Sequence, residues 1–68
     1  MRKWEWSIFP SKGKFAGSWY ACGVETSLED AEKAARSVID EDWRNGVLDC
    51  PPEDCRVRVM VEMAVNMM

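Results

Sequence analysis

Three cysteines and no histidine set the first limit on the chemistry open to this 68-residue chain. Histidine is the commonest general base and the commonest metal ligand, and a nucleophilic cysteine normally needs a base beside it. Cys22, Cys50 and Cys55 therefore do not suggest thiol catalysis. The stretch Cys50-Pro51-Pro52-Glu53-Asp54-Cys55 has the C-x4-C spacing of some zinc ligand pairs, and Cys22 with Glu53 or Asp54 would complete a site on paper. A disulfide between Cys50 and Cys55 is a second reading. Plain loop thiols, with no metal and no cofactor, are the favoured one. Cys22 reads as a small core residue of a strand, and the odd cysteine count fits a reducing compartment.

Other patterns that carry chemistry elsewhere lack their context here. Gly13-Lys14-Phe15-Ala16-Gly17 has the wrong spacing for a phosphate loop, and no helix follows it directly. Asp40, Glu41 and Asp42 read as a solvated helix face rather than paired catalytic carboxylates. No segment assembles nucleophile, base and oxyanion donor, so the expectation is a protein that is not an enzyme.

The remaining candidate is a mixture of aromatic and basic residues. The opening stretch MRKWEWSIFPSKGKFAGSWYACG interleaves three Trp, two Phe and one Tyr with Arg2, Lys3, Lys12 and Lys14. Such a mixture either stacks on nucleic acid or fills a small core. Charge is unevenly spread around it. Residues 1–24 carry four basic residues against Glu5, a net of +3; residues 25–54 carry ten acids against Lys33, Arg36 and Arg44, a net of −7; residues 55–68 net +1, for −3 in all. That asymmetry bears on partners rather than on fold.

The elements that must position these residues follow from periodicity. Residues 3–9 alternate strictly and predict a strand. Pro10 to Lys14 reads as a turn, and residues 15–25 as a second strand paired with the first in a hairpin. Thr26 with Glu29, or Ser27 with Asp30, offers a helix-capping box. Leu28, Ala31, Ala35, Val38 and Ile39 then keep the helical period until Asn45-Gly46 closes the helix. Glu29–Lys33, Glu32–Arg36 and Asp40–Arg44 stand at i,i+4 on its polar face. After a loop from Val47 to Asp54, stiffened by Pro51-Pro52, alternation returns from Cys55 through Val57, Val59, Val61, Met63 and Val65. The expectation is one α+β domain over 1–68. Its order is β-β-α-β, with a three-stranded antiparallel sheet of order 2-1-3, a right-handed crossover and one helix packed on one face.

That phase divides the aromatics. Trp4, Trp6 and Ile8 should face the helix together with Cys22, Val24 and the valines of the third strand, while Trp43 closes the core's end or sits at its rim. Phe9, Phe15, Trp19 and Met60 should share the opposite face with Lys3, Glu5, Arg56 and Arg58, and no second helix is left to cover it. A one-residue slip of the second strand would exchange its two faces.

Three function classes follow. The favoured one is a small acidic protein-binding module docking on a larger, basic protein or complex. Glu25, Asp30 and Asp42 would supply attraction, Phe9, Phe15, Trp19 and Met60 apolar anchors, and Arg56 and Arg58 a basic rim. The second is nucleic-acid binding through the open sheet face, which the net negative charge and the lack of an RNP-type aromatic motif weigh against. The third is a homodimer or larger oligomer, built through the long third strand or the exposed sheet.

In size and element order, a Trp-x-Trp strand and hairpin followed by the helix TSLEDAEKAARSVIDEDW and a final strand, the chain resembles small phage-encoded inhibitors of the anti-CRISPR type. The resemblance implies an inhibitor that binds a CRISPR effector complex, by blocking nucleic acid or mimicking its charge, and it assigns no individual residue a role. No apolar run nears the roughly 18 residues of a membrane helix. Trp4-Glu5-Trp6-Ser7 also breaks any signal-peptide apolar region. The expected location is cytoplasmic, in the host cytoplasm if the chain is phage-encoded.

Overall fold

The computed structural model describes residues 3–62. The chain runs through β1 (Lys3–Pro10), β2 (Ala21–Glu25), α1 (Leu28–Arg44), a single 3-10 turn (Pro52–Asp54) and β3 (Cys55–Glu62). Both outer strands are antiparallel to β1, giving the order β2-β1-β3, with the helix against one face of the sheet. This is the β-β-α-β arrangement that the periodicities predict. The continuation of β3 through Met63 and Val65 lies outside the described residues.

The alternation of β1 decides which face is core. Trp6, Ile8 and Pro10 are buried and Trp4 is half-buried, while Lys3 and Glu5 are exposed. The β3 register sets Val61, Val59 and Val57 opposite Trp4, Trp6 and Ile8, three apolar cross-strand pairs on the helix side. From α1 come Ala31, Ala35 and Ile39, all fully buried. Two alanines on that stripe keep the helix close to the large indoles below it. Leu48 and Cys50 from the loop after the helix, and Cys55 at the start of β3, close the core.

Both helix ends are specified locally. Ser27 is the N-cap: its backbone is extended and its Oγ accepts the Asp30 N–H at 3.1 Å. At the other end Gly46 N–H donates to Trp43 O (3.2 Å) and Val47 N–H to Asp42 O (2.9 Å), the paired bonds of a Schellman motif. Gly46 takes the positive φ of 77° that this motif needs, where a side chain would be strained.

The second strand departs from expectation. It begins at Ala21 rather than near Phe15, and residues 11–20 form a long connection moored on the loop that precedes β3. Ser11 donates to Asp54 O through both its N–H (3.1 Å) and its hydroxyl (2.7 Å). Lys12 Nζ pairs with Asp54 Oδ2 at 3.2 Å, and Lys14 N–H donates to Asp49 Oδ2 at 3.0 Å. Part of the charge split along the sequence is therefore spent inside the molecule, joining a basic loop to an acidic one.

The phase of β2 is also reversed. Ala21, Gly23 and Glu25 lie on the helix side, opposite Ile8, Trp6 and Trp4, and Cys22 and Val24 are on the open face. The reason is steric. A Cβ at the position opposite Trp6 would lie 2.5 Å from the indole ring, so neither Cys22 nor Val24 fits there and Gly23 does.

Candidate interaction face

The side of the sheet away from α1 is a continuous surface drawn from all three strands. Strand β1 supplies Lys3, Glu5, Ser7 and Phe9 down its middle. Across the ladders Phe9 pairs with Arg56, Ser7 with both Arg58 and Cys22, and Glu5 with both Met60 and Val24. Among the described residues no helix covers this side. Met60 and Val24 are about half exposed, at 52% and 49%, values that leave two apolar side chains available on either flank of Glu5. Arg56 and Arg58 are exposed and Phe9 is half-buried between the strands.

At one end the face dips into a shallow concavity lined by Phe9, Gly17, Ser18, Asp54, Arg56 and Arg58. Its lining combines an aromatic residue with two exposed arginines, and Ser11, Gly17 and Ser18 of the connection border it. Arginine and aromatic residues are the types enriched at protein interfaces.

Four of the residues expected to contact a partner, Phe9, Arg56, Arg58 and Met60, are brought together on this face. Phe15 is not. The later start of β2 leaves it in the connection, where its ring meets Tyr20 edge-on at 4.7 Å, Lys14 Nζ sits 5.5 Å from its centroid, and the pair packs on the core. Trp19 also falls outside the strand. It is 60% exposed in the connection just before β2, beside the sheet rather than on it.

The acids are dispersed. Asp42 is tied internally, accepting the Tyr20 hydroxyl at 2.5 Å through Oδ2, and its carbonyl accepts the Val47 and Leu48 N–H groups. Burial, the bond to Asp42 and the charge of that carboxylate together push the Tyr20 hydroxyl up to about 12. Glu25 is half-buried on the helix side opposite Trp4, and Asp30 is exposed in the first helical turn. None of the three borders the open sheet face, so attraction by one acidic patch is not what this face offers.

The cysteines reverse their expected roles. Cys22, read as core, is exposed on the open face because β2 is in the opposite phase. Cys50 and Cys55, read as loop thiols, are both buried: Cys50 because the loop after α1 folds inward with Leu48 to complete the core, and Cys55 because it is the first residue of β3, opposite Pro10 and in phase with Val57 on the helix side. Both are free thiols. Cys55 Sγ donates to Cys50 O at 3.7 Å, and burial, reinforced by the neighbouring Cys50 thiol, pushes Cys55 up to about 12. Among the described residues no group of three or more Cys, Asp or Glu side chains is placed to hold a metal ion.

Val24 belongs to the face although the periodicity assigned it to the core. The signal that could have found it was present: a glycine two residues before Glu25, able to face an indole that no larger residue could approach. Among the described residues no helix is long and apolar enough to cross a membrane. Compared with protein-family models, with curated proteins and with solved structures, the chain matches none of them.

Proposed function

We propose that this chain is a non-enzymatic protein-binding module that engages a larger protein through the open face of its sheet, and that it acts there as an inhibitor. The observation that carries the reading is the uncovered surface on which Phe9, Val24 and Met60 lie among Arg56, Arg58 and Lys3. A small domain has little apolar surface to spare, and half-exposed Val24 and Met60 around a strand-centred face are what an interface core needs. Arg56 and Arg58 stand together beside Phe9 at one end of the face, whereas at the other end Lys3 is opposite Glu62 and next to Glu5, so the Phe9 end fits a partner surface with an apolar pocket and an acidic rim. Stacking on nucleic acid is less favoured, because of Phe9, Phe15 and Trp19 only Phe9 lies on the face, and a stacking platform uses several rings.

The resemblance to small phage-encoded inhibitors directs the partner towards a nucleic-acid-handling complex, with a CRISPR effector as the specific case. The test has two arms. In the first, the tagged chain and its Met60→Asp and Arg58→Glu variants are used to capture host proteins, and a discrete protein held by the parent and lost from both variants is expected. Retention of that protein by both variants contradicts use of this face. In the second, the purified chain is added in excess to a CRISPR effector complex before its target. Loss of target binding is the expected result, and unimpaired binding contradicts the effector as partner.

A further inference from the structure

The two edges of the sheet are built differently. Strand β2 has five residues, includes Gly23, and sets Glu25 on the helix side opposite Trp4. Short length and an inward charge are ways in which proteins keep an edge from pairing with another chain. Strand β3 has none of these devices. It runs eight residues, Cys55 to Glu62, with no proline, and its ladder with β1 is unbroken from Pro10↔Cys55 to Lys3↔Glu62. Its positions on the helix side are Cys55, Val57, Val59 and Val61, all uncharged, and among the described residues nothing pairs with its outer edge.

We infer that the chain forms a two-fold symmetric dimer in which the outer edge of β3 pairs antiparallel with β3 of a second copy. The pairing satisfies the free backbone groups of both edges and extends the sheet to six strands, the self-complementary arrangement of a closed two-fold interface. Charge selects the register. A two-fold axis at Arg58 sets that residue opposite itself, and an axis at Val57 sets Arg56 opposite Arg58 twice. An axis at Val59 instead sets Arg56 opposite Glu62 at both ends, Val57 opposite Val61 on the helix side, and Arg58 opposite Met60. Opposite charges across a ladder stabilise and like charges destabilise, which rules out the first two axes. An axis at Met60 also pairs opposite charges, Arg58 with Glu62, but joins only residues 58–62 of the Cys55–Glu62 strand where the Val59 axis joins 56–62, so the longer Val59-centred register is the occupied one. The interface uses the strand edge rather than the open face, so it stands or falls independently of partner capture by that face.

Sedimentation velocity on the full chain over a concentration series tests this directly, with far-ultraviolet circular dichroism to show that each variant is folded. The parent should sediment with twice the mass of one chain as concentration rises. Arg56→Glu places like charges together at both ends of the ladder and should weaken the dimer at least about tenfold. The double variant Arg56→Glu with Glu62→Arg should restore it, and Arg58→Glu should change it by less than about threefold. A parent that stays monomeric to millimolar concentration overturns the proposal. So does a dimer that Arg56→Glu leaves intact, or one that the double variant fails to restore.

Discussion

Gly23 and Trp6 face one another across the β1–β2 ladder with no space for a methyl group between them. A Cβ on Gly23 would stand 2.5 Å from indole Cζ2 and 2.8 Å from Nε1. Trp6 is only 6% exposed, so the ring has no open side to swing into. This one contact sets the phase of β2 and delivers Cys22 and Val24 to the open face.

Gly23→Ala should therefore destabilise the fold by about 1–3 kcal/mol, the usual cost of overpacking a tight core. Urea denaturation checks it, as a lowered midpoint with an unchanged slope. An alanine variant as stable as the parent would show that the phase of β2 is set elsewhere.

The contrast between β2 and the other elements shows what the sequence makes legible. Strand β1, α1 and β3 announce themselves locally, through the Trp4-Trp6-Ile8 alternation, the Ser27 cap, the Asn45-Gly46 stop and the valines of β3. The start of β2 depends on bonds from Ser11 and Lys14 to Asp54 and Asp49, 43 and 35 residues further on, which no local period encodes. Extending β2 through that connection puts Phe15 and Trp19 on the sheet, and both leave it for the same reason. The burial of Cys50 is hidden likewise: a Pro- and acid-rich loop reads as exposed until Leu48 pulls it over the core, whereas the burial of Cys55 follows from its place in the β3 alternation with Val57.

The Tyr20–Asp42 bond ties the end of the connection to the last turns of α1. Tyr20→Phe removes a hydrogen bond to a charged acceptor at a half-buried position and should cost about 1–2 kcal/mol in chemical denaturation. A cost near zero would mean that the bond does not outlast competition from water.

The same residues fix the alkaline limit of stability. Tyr20 is raised from 10.0 to about 12 and Cys55 from 9.0 to about 12, so the folded state holds both protons more tightly than the unfolded chain. Their contribution is complete below pH 9 and is lost as pH rises towards 12. Melting temperature should be insensitive to these two groups below pH 9 and fall above it. Tyr20→Phe should remove part of the fall between pH 10 and 12, and a slope identical to the parent's would contradict the assignment to Tyr20.

The three thiols should separate by reactivity. Cys22 is exposed and Cys50 and Cys55 are buried, with burial holding Cys55 in its unreactive thiol form. Under native conditions a thiol reagent at pH 8 should modify one cysteine rapidly and the other two only on unfolding. Peptide mapping should place the fast label at Cys22. Rapid labelling of Cys50 would contradict the inward course of the loop after α1, and rapid labelling of Cys55 the core-facing phase of β3.

The central claim is that the uncovered sheet face, not the helix, meets a partner. Site-specific photo-crosslinking tests it most directly, with the probe placed in turn at Phe9 and Val24 on the open face and at Ser37 on the exposed side of α1. Both face positions lie on β1 and β2, away from the β3 edge, so self-association through that edge does not mimic the signal. The account predicts one discrete crosslinked protein from Phe9 and from Val24 and none from Ser37. Crosslinking from Ser37 alone, or from none of the three, would contradict it.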